Sequence, residues 1–406
     1  MKVLVIGSGG REHALVRKMR LDDPKTAIYA IPGNPGMASD AICVKLPLDN
    51  LEKLAEFAQN NKIDLTFVGS EEPLSRGIVD LFTDAGCPIF GPSKAAAQIE
   101  TSKKFAKELM TKYHIPTAAY RVFSDCGSAK EYLKTETFPI VIKADGLAAG
   151  KGVVIAGSQK EAEDACDLLL EKHRAIVIEE YLQGIEFSLM TLVHQDQVVP
   201  LAIAQDYKRV HDGNLGPNTG GMGAYSPVPQ IPSQVVRKAM ELIMIPVAKA
   251  LVKENIPFTG VLYGGLMWTK NGVKVIEFNA RFGDPETEVI LPRMRTKLLP
   301  AIHRFLDKKT VKLSFSKEAA VGVVLASNGY PGKYDVGLPT NIPLDDPLVL
   351  HMGTKMDKGN VLTAGGRVAI VVARGKTLQD ARQEAYRKVE SIKSSGLFFR
   401  KDIAGF

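Results

Sequence analysis

Two apolar runs, Val261–Trp268 and Val273–Phe278, flank the dipeptide Asn271-Gly272 and constrain the fold most. Runs joined by Asn-Gly read as a β-hairpin, because both residues tolerate the positive φ of a type I′ turn. Alternation along the second strand puts Val273, Val275, Glu277 and Asn279 on one face. That face ends in a carboxylate and an amide about 7 Å apart on a rigid element. They are hard oxygen donors of the kind that Mg²⁺ or Mn²⁺ takes beside nucleotide phosphates. Arg281, just beyond, offers a planar fork to a phosphate or carboxylate. The same pattern also fits a strand that simply runs out into solvent.

Composition narrows the classes. The 406 residues suffice for roughly two to four domains with sizeable cores. A net charge of +7 comes without any Lys/Arg block interleaved with aromatics, which argues against a nucleic-acid groove and suits phosphorylated small molecules. Cys43, Cys87, Cys126 and Cys166 form no CxxC pair, so neither a zinc site nor a disulfide framework is expected. Met1–Ile6 is too short for a secretory or membrane segment, so the expected setting is cytoplasmic, with no membrane partner.

The N-terminal third alternates strand and helix: Lys2–Ile6, Ala27–Ile31 and Leu65–Gly69 as strands, Leu51–Asn60 as a helix. This predicts a parallel sheet with ligands at the strands' carboxyl ends, where Gly7–His13, Gly33–Gly36 and Gly69–Pro73 fall. A dinucleotide fold is rejected. Glu12 stands where the third glycine of GxGxxG belongs, and Ile31-Pro32 supplies no ribose-binding acid. A glycine turn opening a helix still suits one phosphate or sugar phosphate, or merely makes a tight turn.

Ser93–Tyr113 is expected to be one helix carrying Lys103 and Lys104, with strands Tyr120–Phe123 and Pro139–Lys143 after it. The loop Lys143–Gly152 is not a Walker A motif: its glycine spacing is one residue short, Gly152 replaces Ser or Thr, and strand Val153–Ala156 follows. It reads either as a flap that closes Lys143 and Lys151 over a polyphosphate or as an ordinary hairpin. After helix Gln159–Lys172, strand Ala175–Glu180 leads into Tyr181-Leu182, a linker suited to an adenine edge, with Glu186 placed for ribose hydroxyls. Gln205–Pro227 reads as a long irregular binding loop, in which Asp212 suits an ammonium group and Arg209 an anion. His211 has no partner at metal-ligand spacing. Helix Ile231–Lys253 leads back to the hairpin. From Ala320 onward, strands Val321–Ala326 and Val368–Ala373 and helix Leu378–Lys393 predict a small closing α/β domain.

Gly7-Ser-Gly-Gly-Arg-Glu-His-Ala14, Gly33-Asn-Pro-Gly36, Lys143–Gly152, Asp212–Pro227 and Glu277–Glu286 together resemble the ATP-grasp superfamily. Within it the chain is similar to the glycinamide ribonucleotide synthetases, in their stand-alone bacterial form. The resemblance implies an α/β and α+β multidomain fold. Its parts would be a parallel α/β domain over 1–101, an ATP-grasp domain over 102–315 with a flap lobe at about 120–190, and a small α/β domain over 316–406. It implies ATP between two antiparallel sheets, touched by Lys103, Lys143, Gly150, Lys151, Gly152, the Glu179-Glu180-Tyr181-Leu182 linker and Glu186. Glu277 and Asn279 match the metal ligands, for Mg²⁺ or Mn²⁺.

The implied reaction joins glycine to 5-phosphoribosylamine at the expense of ATP. Lys143, Lys151 and Arg281 are the expected catalytic groups. Gly9, Gly10, Asn34, Gly36, Asp212, Asn218, Gly220, Gly221 and Arg281 are the expected substrate contacts. A monomer or weak homodimer is expected. Two rivals stand beside this reading: another ATP-grasp carboxylate–amine ligase or carboxylase, and an inert nucleotide-binding scaffold.

Overall fold

The computed structural model describes residues 1–148 and 152–405. The N-terminal sheet is parallel and five-stranded, in the order Ile42–Cys43, Ala27–Pro32, Lys2–Gly7, Leu65–Val68, Ile89–Phe90. Val3–Gly7 are all buried, as a central strand covered on both faces requires. The two-residue edge strands carry too little pattern to be read from sequence.

Two four-stranded antiparallel sheets follow. One runs Tyr120–Phe123, Ile176–Glu180, Ile140–Ala144, Val153–Ala156, and helices Cys126–Leu133 and Gln159–Leu170 close a separate apolar core against it. The other runs Gln197–Pro200, Ile185–His194, Thr259–Thr269, Gly272–Asn279.

The hairpin forms, with two departures from expectation. In its turn only Gly272 takes positive φ (104°), so the turn is not type I′. Thr269 Oγ1 closes it, donating to the Gly272 carbonyl at 2.9 Å and accepting from Asn271 N. A bulge also shifts the register: Leu266 pairs with Val275 but Gly265 with Glu277, leaving Ile276 as the extra residue. Strict alternation therefore fails. Val273, Val275 and Phe278 enter the core, while Ile276, Glu277 and Asn279 line a cavity.

The expected Ser93–Tyr113 helix breaks into Gln98–Thr101 and Lys103–Lys112. Ser102 takes an extended conformation, and its Oγ caps the second helix by accepting from Phe105 N at 3.1 Å. This new start aims Lys103 and Lys107, one turn apart, at the cavity. Ile231–Lys253 contains a wide π turn at Met240–Met244, just before Pro246, whose missing N–H cannot continue a regular ladder.

The stretch 205–227 is not irregular. It holds strands Gln205–Asp206, Arg209–His211, Leu215–Asn218 and Gly223–Ser226. Gly223–Ser226 pairs with Ala319–Ser327, so a sheet of C-terminal strands extends into this segment. Glycine- and proline-rich sequence hides these short strands, and Gly223–Ser226 also has a partner about a hundred residues away. Among the described residues no helix is long and apolar enough to cross a membrane.

Candidate active site

A cavity of about 370 Å³ lies where these sheets meet. At one end Glu179, 4% exposed, is gripped by both Lys107 and Lys143. Lys143 Nζ also donates to the Ile276 carbonyl at 2.9 Å, and Lys107 Nζ to Thr117 Oγ1 at 2.8 Å. Lys103 Nζ donates to the Gly146 carbonyl at 3.0 Å. Burial pushes Glu179 up, but Lys143 and Lys107 outweigh it and hold the carboxyl below its ordinary range. Burial lowers Lys103 and Lys107. Two ammonium groups on one internal carboxylate, with Lys103 beside them in the cavity lining, leave a positive wall suited to polyphosphate.

Across from it stand Glu277 and Asn279. Among the described residues Glu277 has no hydrogen-bond or ion-pair partner, although it lines the cavity, while Lys103 feels its charge. Asn279 Oδ1 accepts only a long contact from Arg281 Nη2, at 3.4 Å. One free carboxylate and one amide oxygen held only by that long contact, among the described residues, fit a hard divalent ion whose remaining ligands would be phosphate oxygens and water. Among the described residues no group of three or more His, Cys, Asp or Glu could hold a metal alone. The donors suit a metal that arrives with nucleotide.

The other end is rich in arginine. Arg281 lies 3.3 Å from Glu71 and 3.0 Å from Glu100, and Glu100 also accepts from Ala280 N at 2.7 Å. Burial pushes Glu71 up, yet Arg281 and Arg11 bring it down to about 2. Glu100, more deeply buried, is raised despite Arg281. Arg367 Nη1 lies 2.7 Å from Asp284 and donates to the Gly220 carbonyl at 2.8 Å. Arg11 Nη1 donates to the Phe282 carbonyl at 3.1 Å.

Not every expected site residue reaches this cavity. Lys103, Lys143, Gly152, Gly220, Glu277, Asn279 and Arg281 line it. Gly150 and Lys151 lie outside the described residues. Glu179 serves the lysines from behind, and Glu180, exposed, pairs with Lys274 at 3.2 Å. Tyr181 is exposed, Leu182 is buried, and neither lines the cavity. Glu186 is bound to Lys208 at 2.5 Å.

The N-terminal loops are more fully occupied than their glycines suggested. Glu12 folds back under the loop, accepting from Gly9 N at 2.5 Å and pairing with Arg11 at 2.9 Å. A Cβ on Gly7 would come within 2.7 Å of Glu12, and Gly69 is packed against the same carboxyl. The anion expected at this turn is thus partly supplied by the chain itself. Gly10 sits under Glu288 and Met352. Asn34 spends its amide on the carbonyls of Ser8 (2.8 Å) and His351 (2.9 Å), and Gly36 is pressed against His13 and His351. These residues fasten the N-terminal sheet to the C-terminal one.

Asp212 accepts from Lys401 N at 2.8 Å, outside the cavity lining. Asn218 pairs with Arg209 in a two-stranded ribbon, and Gly221 packs on Pro285. The reading of sequence missed Lys107, Arg11, Glu71, Glu100, Asp206, Lys208, Asp284, Glu286 and Arg367. Arg11 and Asp284 stood inside quoted motifs, and Lys107 lies at helical spacing from Lys103. Arg367 carried no local signal.

Family models described as the N domain, the ATP-grasp (A) domain and the C domain of phosphoribosylglycinamide synthetase match residues 1–100, 101–287 and 320–405. A phosphoribosylamine–glycine ligase of Halalkalibacterium halodurans is 50% identical over 412 residues, covering 99% of this chain and 96% of that protein. The crystal structure of phosphoribosylamine–glycine ligase from Thermotoga maritima superposes with a TM-score of 0.88 at 33% identity, covering 99% of this chain and 100% of that one. The biotin carboxylase domain of the Hydrogenobacter thermophilus 2-oxoglutarate carboxylase, solved with MgADP, shares the fold alone: TM-score 0.75, 16% identity, 98% of this chain and 91% of that one.

Proposed function

The chain belongs to the phosphoribosylglycinamide synthetase family, and from that premise we infer that it joins glycine to 5-phosphoribosylamine. ATP is consumed, and the products are glycinamide ribonucleotide, ADP and phosphate, the second step of de novo purine synthesis. The observation that carries this reading is the pairing of a lysine wall with the Glu277–Asn279 carboxylate–amide face across one cavity.

In our reading the glycine carboxylate attacks the γ-phosphorus of ATP, giving glycyl phosphate, and the amine of phosphoribosylamine then displaces phosphate from that carbonyl. Lys103 and Lys143 offset the charge that otherwise repels the attacking carboxylate. Glu179 sets Lys143 in place, and Glu277 and Asn279 would hold Mg²⁺, with Mn²⁺ as the alternative. The metal supplies charge neutralisation on phosphate oxygens. Arg281, braced by Glu71 and Glu100, brings its fixed guanidinium charge to the transferring group. No enzyme nucleophile is required, because the substrate carboxylate is the nucleophile.

We further propose working units at 1–101, 102–315 and 316–406, a monomeric or weakly dimeric state, and a cytoplasmic setting, supported by four free cysteines. Lys151 and Gly150 are proposed as flap contacts on the loop's sequence alone.

A coupled assay for ADP tests the function. Release should require both glycine and freshly generated phosphoribosylamine, and chelation of divalent metal should abolish it. ADP release with bicarbonate or another acid in place of glycine would favour a different ATP-grasp activity. No release with any acid would favour the inert scaffold.

A further inference from the structure

The cavity has a corner that the nucleotide and metal leave unexplained. Glu286, 3% exposed, lines it. Its Oε1 accepts from Ser188 Oγ and from Tyr263 OH, each at 2.8 Å. Its Oε2 has no partner among the described residues. The other carboxylates of the cavity differ in this respect. Glu71, Glu100 and Asp284 each face an arginine at 3.3, 3.0 and 2.7 Å, and Asp206 faces Lys208 at 2.7 Å. Glu277 is free but belongs to the metal face. Among the described residues, Glu286 is the cavity carboxylate held by neutral hydroxyls, and its second oxygen lies beside Gly283, another residue of the cavity lining.

Charge points the same way. Asp206, Glu186 and Glu286 cluster around a single cation, Lys208. Burial and the neighbouring Asp206 push the Glu286 carboxyl upward, a cost that an arriving cation relieves. Glu186 and Asp206 are already bound to Lys208, which leaves Glu286 as the acceptor for a compact cation bearing its own N–H donors.

Position selects which one. Tyr263 lies opposite Asn279 in the hairpin register, so Glu286, on the Tyr263 hydroxyl, sits beside the metal face. An amino acid whose carboxylate attacks a metal-bound phosphate must place its ammonium group within a few ångströms of that face.

We propose that Glu286, backed by Ser188 and Tyr263 and assisted by Asp206, holds the ammonium group of glycine. This rests on the ligase reading and replaces Asp212, which the fold directs to Lys401 instead.

The test uses the full chain loaded with Mg²⁺ and a non-hydrolysable ATP analogue, titrated by calorimetry with glycine and with glycolate, which carries a hydroxyl in place of the ammonium. Glycine should bind at least about tenfold more tightly. Glu286→Gln, which keeps an acceptor for both hydroxyls, should raise the glycine KM roughly 10- to 100-fold. The ATP KM should stay within about twofold, and the preference for glycine over glycolate should collapse. A purely structural Glu286 would lower Tm and leave that preference intact, which overturns the proposal. Should Glu286→Gln fail to fold, Asp206→Asn and the wild-type comparison decide. Equal binding of glycine and glycolate by wild type defeats the inference while ADP release with glycine and phosphoribosylamine keeps the ligase reading standing. Absence of that release defeats the ligase reading instead.

Discussion

The two ends of the cavity are built on opposite plans. At the lysine end one carboxylate, Glu179, sits between two ammonium groups, Lys107 and Lys143. At the arginine end one guanidinium, Arg281, sits between two carboxylates, Glu71 and Glu100. The first triad carries a net positive charge and turns it toward the cavity. The second carries a net negative charge and fixes the direction of its arginine. A lone buried lysine would lose its proton and a lone arginine would swing, so each cation is held by buried opposite charge. The difference teaches that the anion in the first triad tunes charge, whereas the pair in the second tunes geometry.

Removing the centre of the first triad should have the largest effect. Glu179→Ala leaves two ammonium groups buried and facing each other, and should cost about 3–5 kcal/mol in denaturant unfolding. Unchanged stability would show that solvent already screens the lysines. In the second triad, Arg281→Lys keeps the charge and loses the fork. It should lower kcat about 10²- to 10³-fold with Tm little changed. A small loss in kcat would mean that charge alone matters at both ends.

The acids around Arg281 should also separate by pH. Glu71 stays ionised down to about 2 in the folded chain, against an ordinary value of 4.5. Its ion pair therefore contributes stability above about 4.5 and loses it as pH falls toward 2. Glu71→Gln should flatten that limb of the acid-unfolding curve by on the order of 1 kcal/mol, given partial exposure. Glu100, raised by burial, behaves in the opposite sense, contributing at low pH and losing as pH rises. Glu100→Gln should leave the acid limb in place. The smallest effect is expected at Asp212→Ala, with the glycine KM within about twofold of wild type; a tenfold rise would return Asp212 to the site.

Local pattern made much of the fold legible. The hairpin and the parallel N-terminal strands follow from alternation and turn residues, and the presence of Glu277 and Asn279 near the strand's end is plain in the sequence. What local pattern could not show is which charges are already spoken for. Asn34 and Gly36 looked like ligand contacts because loops at strand ends usually are, yet His351 consumes both. Glu12 looked like a missing glycine and is the loop's own anion. Glu179 looked like part of a linker and is the counterion of two lysines. For Asn34, Gly36 and Glu179 the deciding partners lie dozens to hundreds of residues away, whereas Glu12 binds Gly9 three residues back through a loop shape that the sequence does not show.

Sequence by itself determined most strands and helices outside 205–227, the rejection of dinucleotide and P-loop chemistry, and the presence of an acid and an amide two residues apart at a strand's end. These depend on periodicity and on side-chain chemistry, both local properties. Tertiary structure alone decided that a bulge at Ile276 turns Glu277 into the cavity, that Arg367 reaches Asp284, and that Glu286 keeps one oxygen free. The physical reason is that a buried charge takes its meaning from neighbours within a few ångströms, and the fold draws those neighbours from anywhere along the chain.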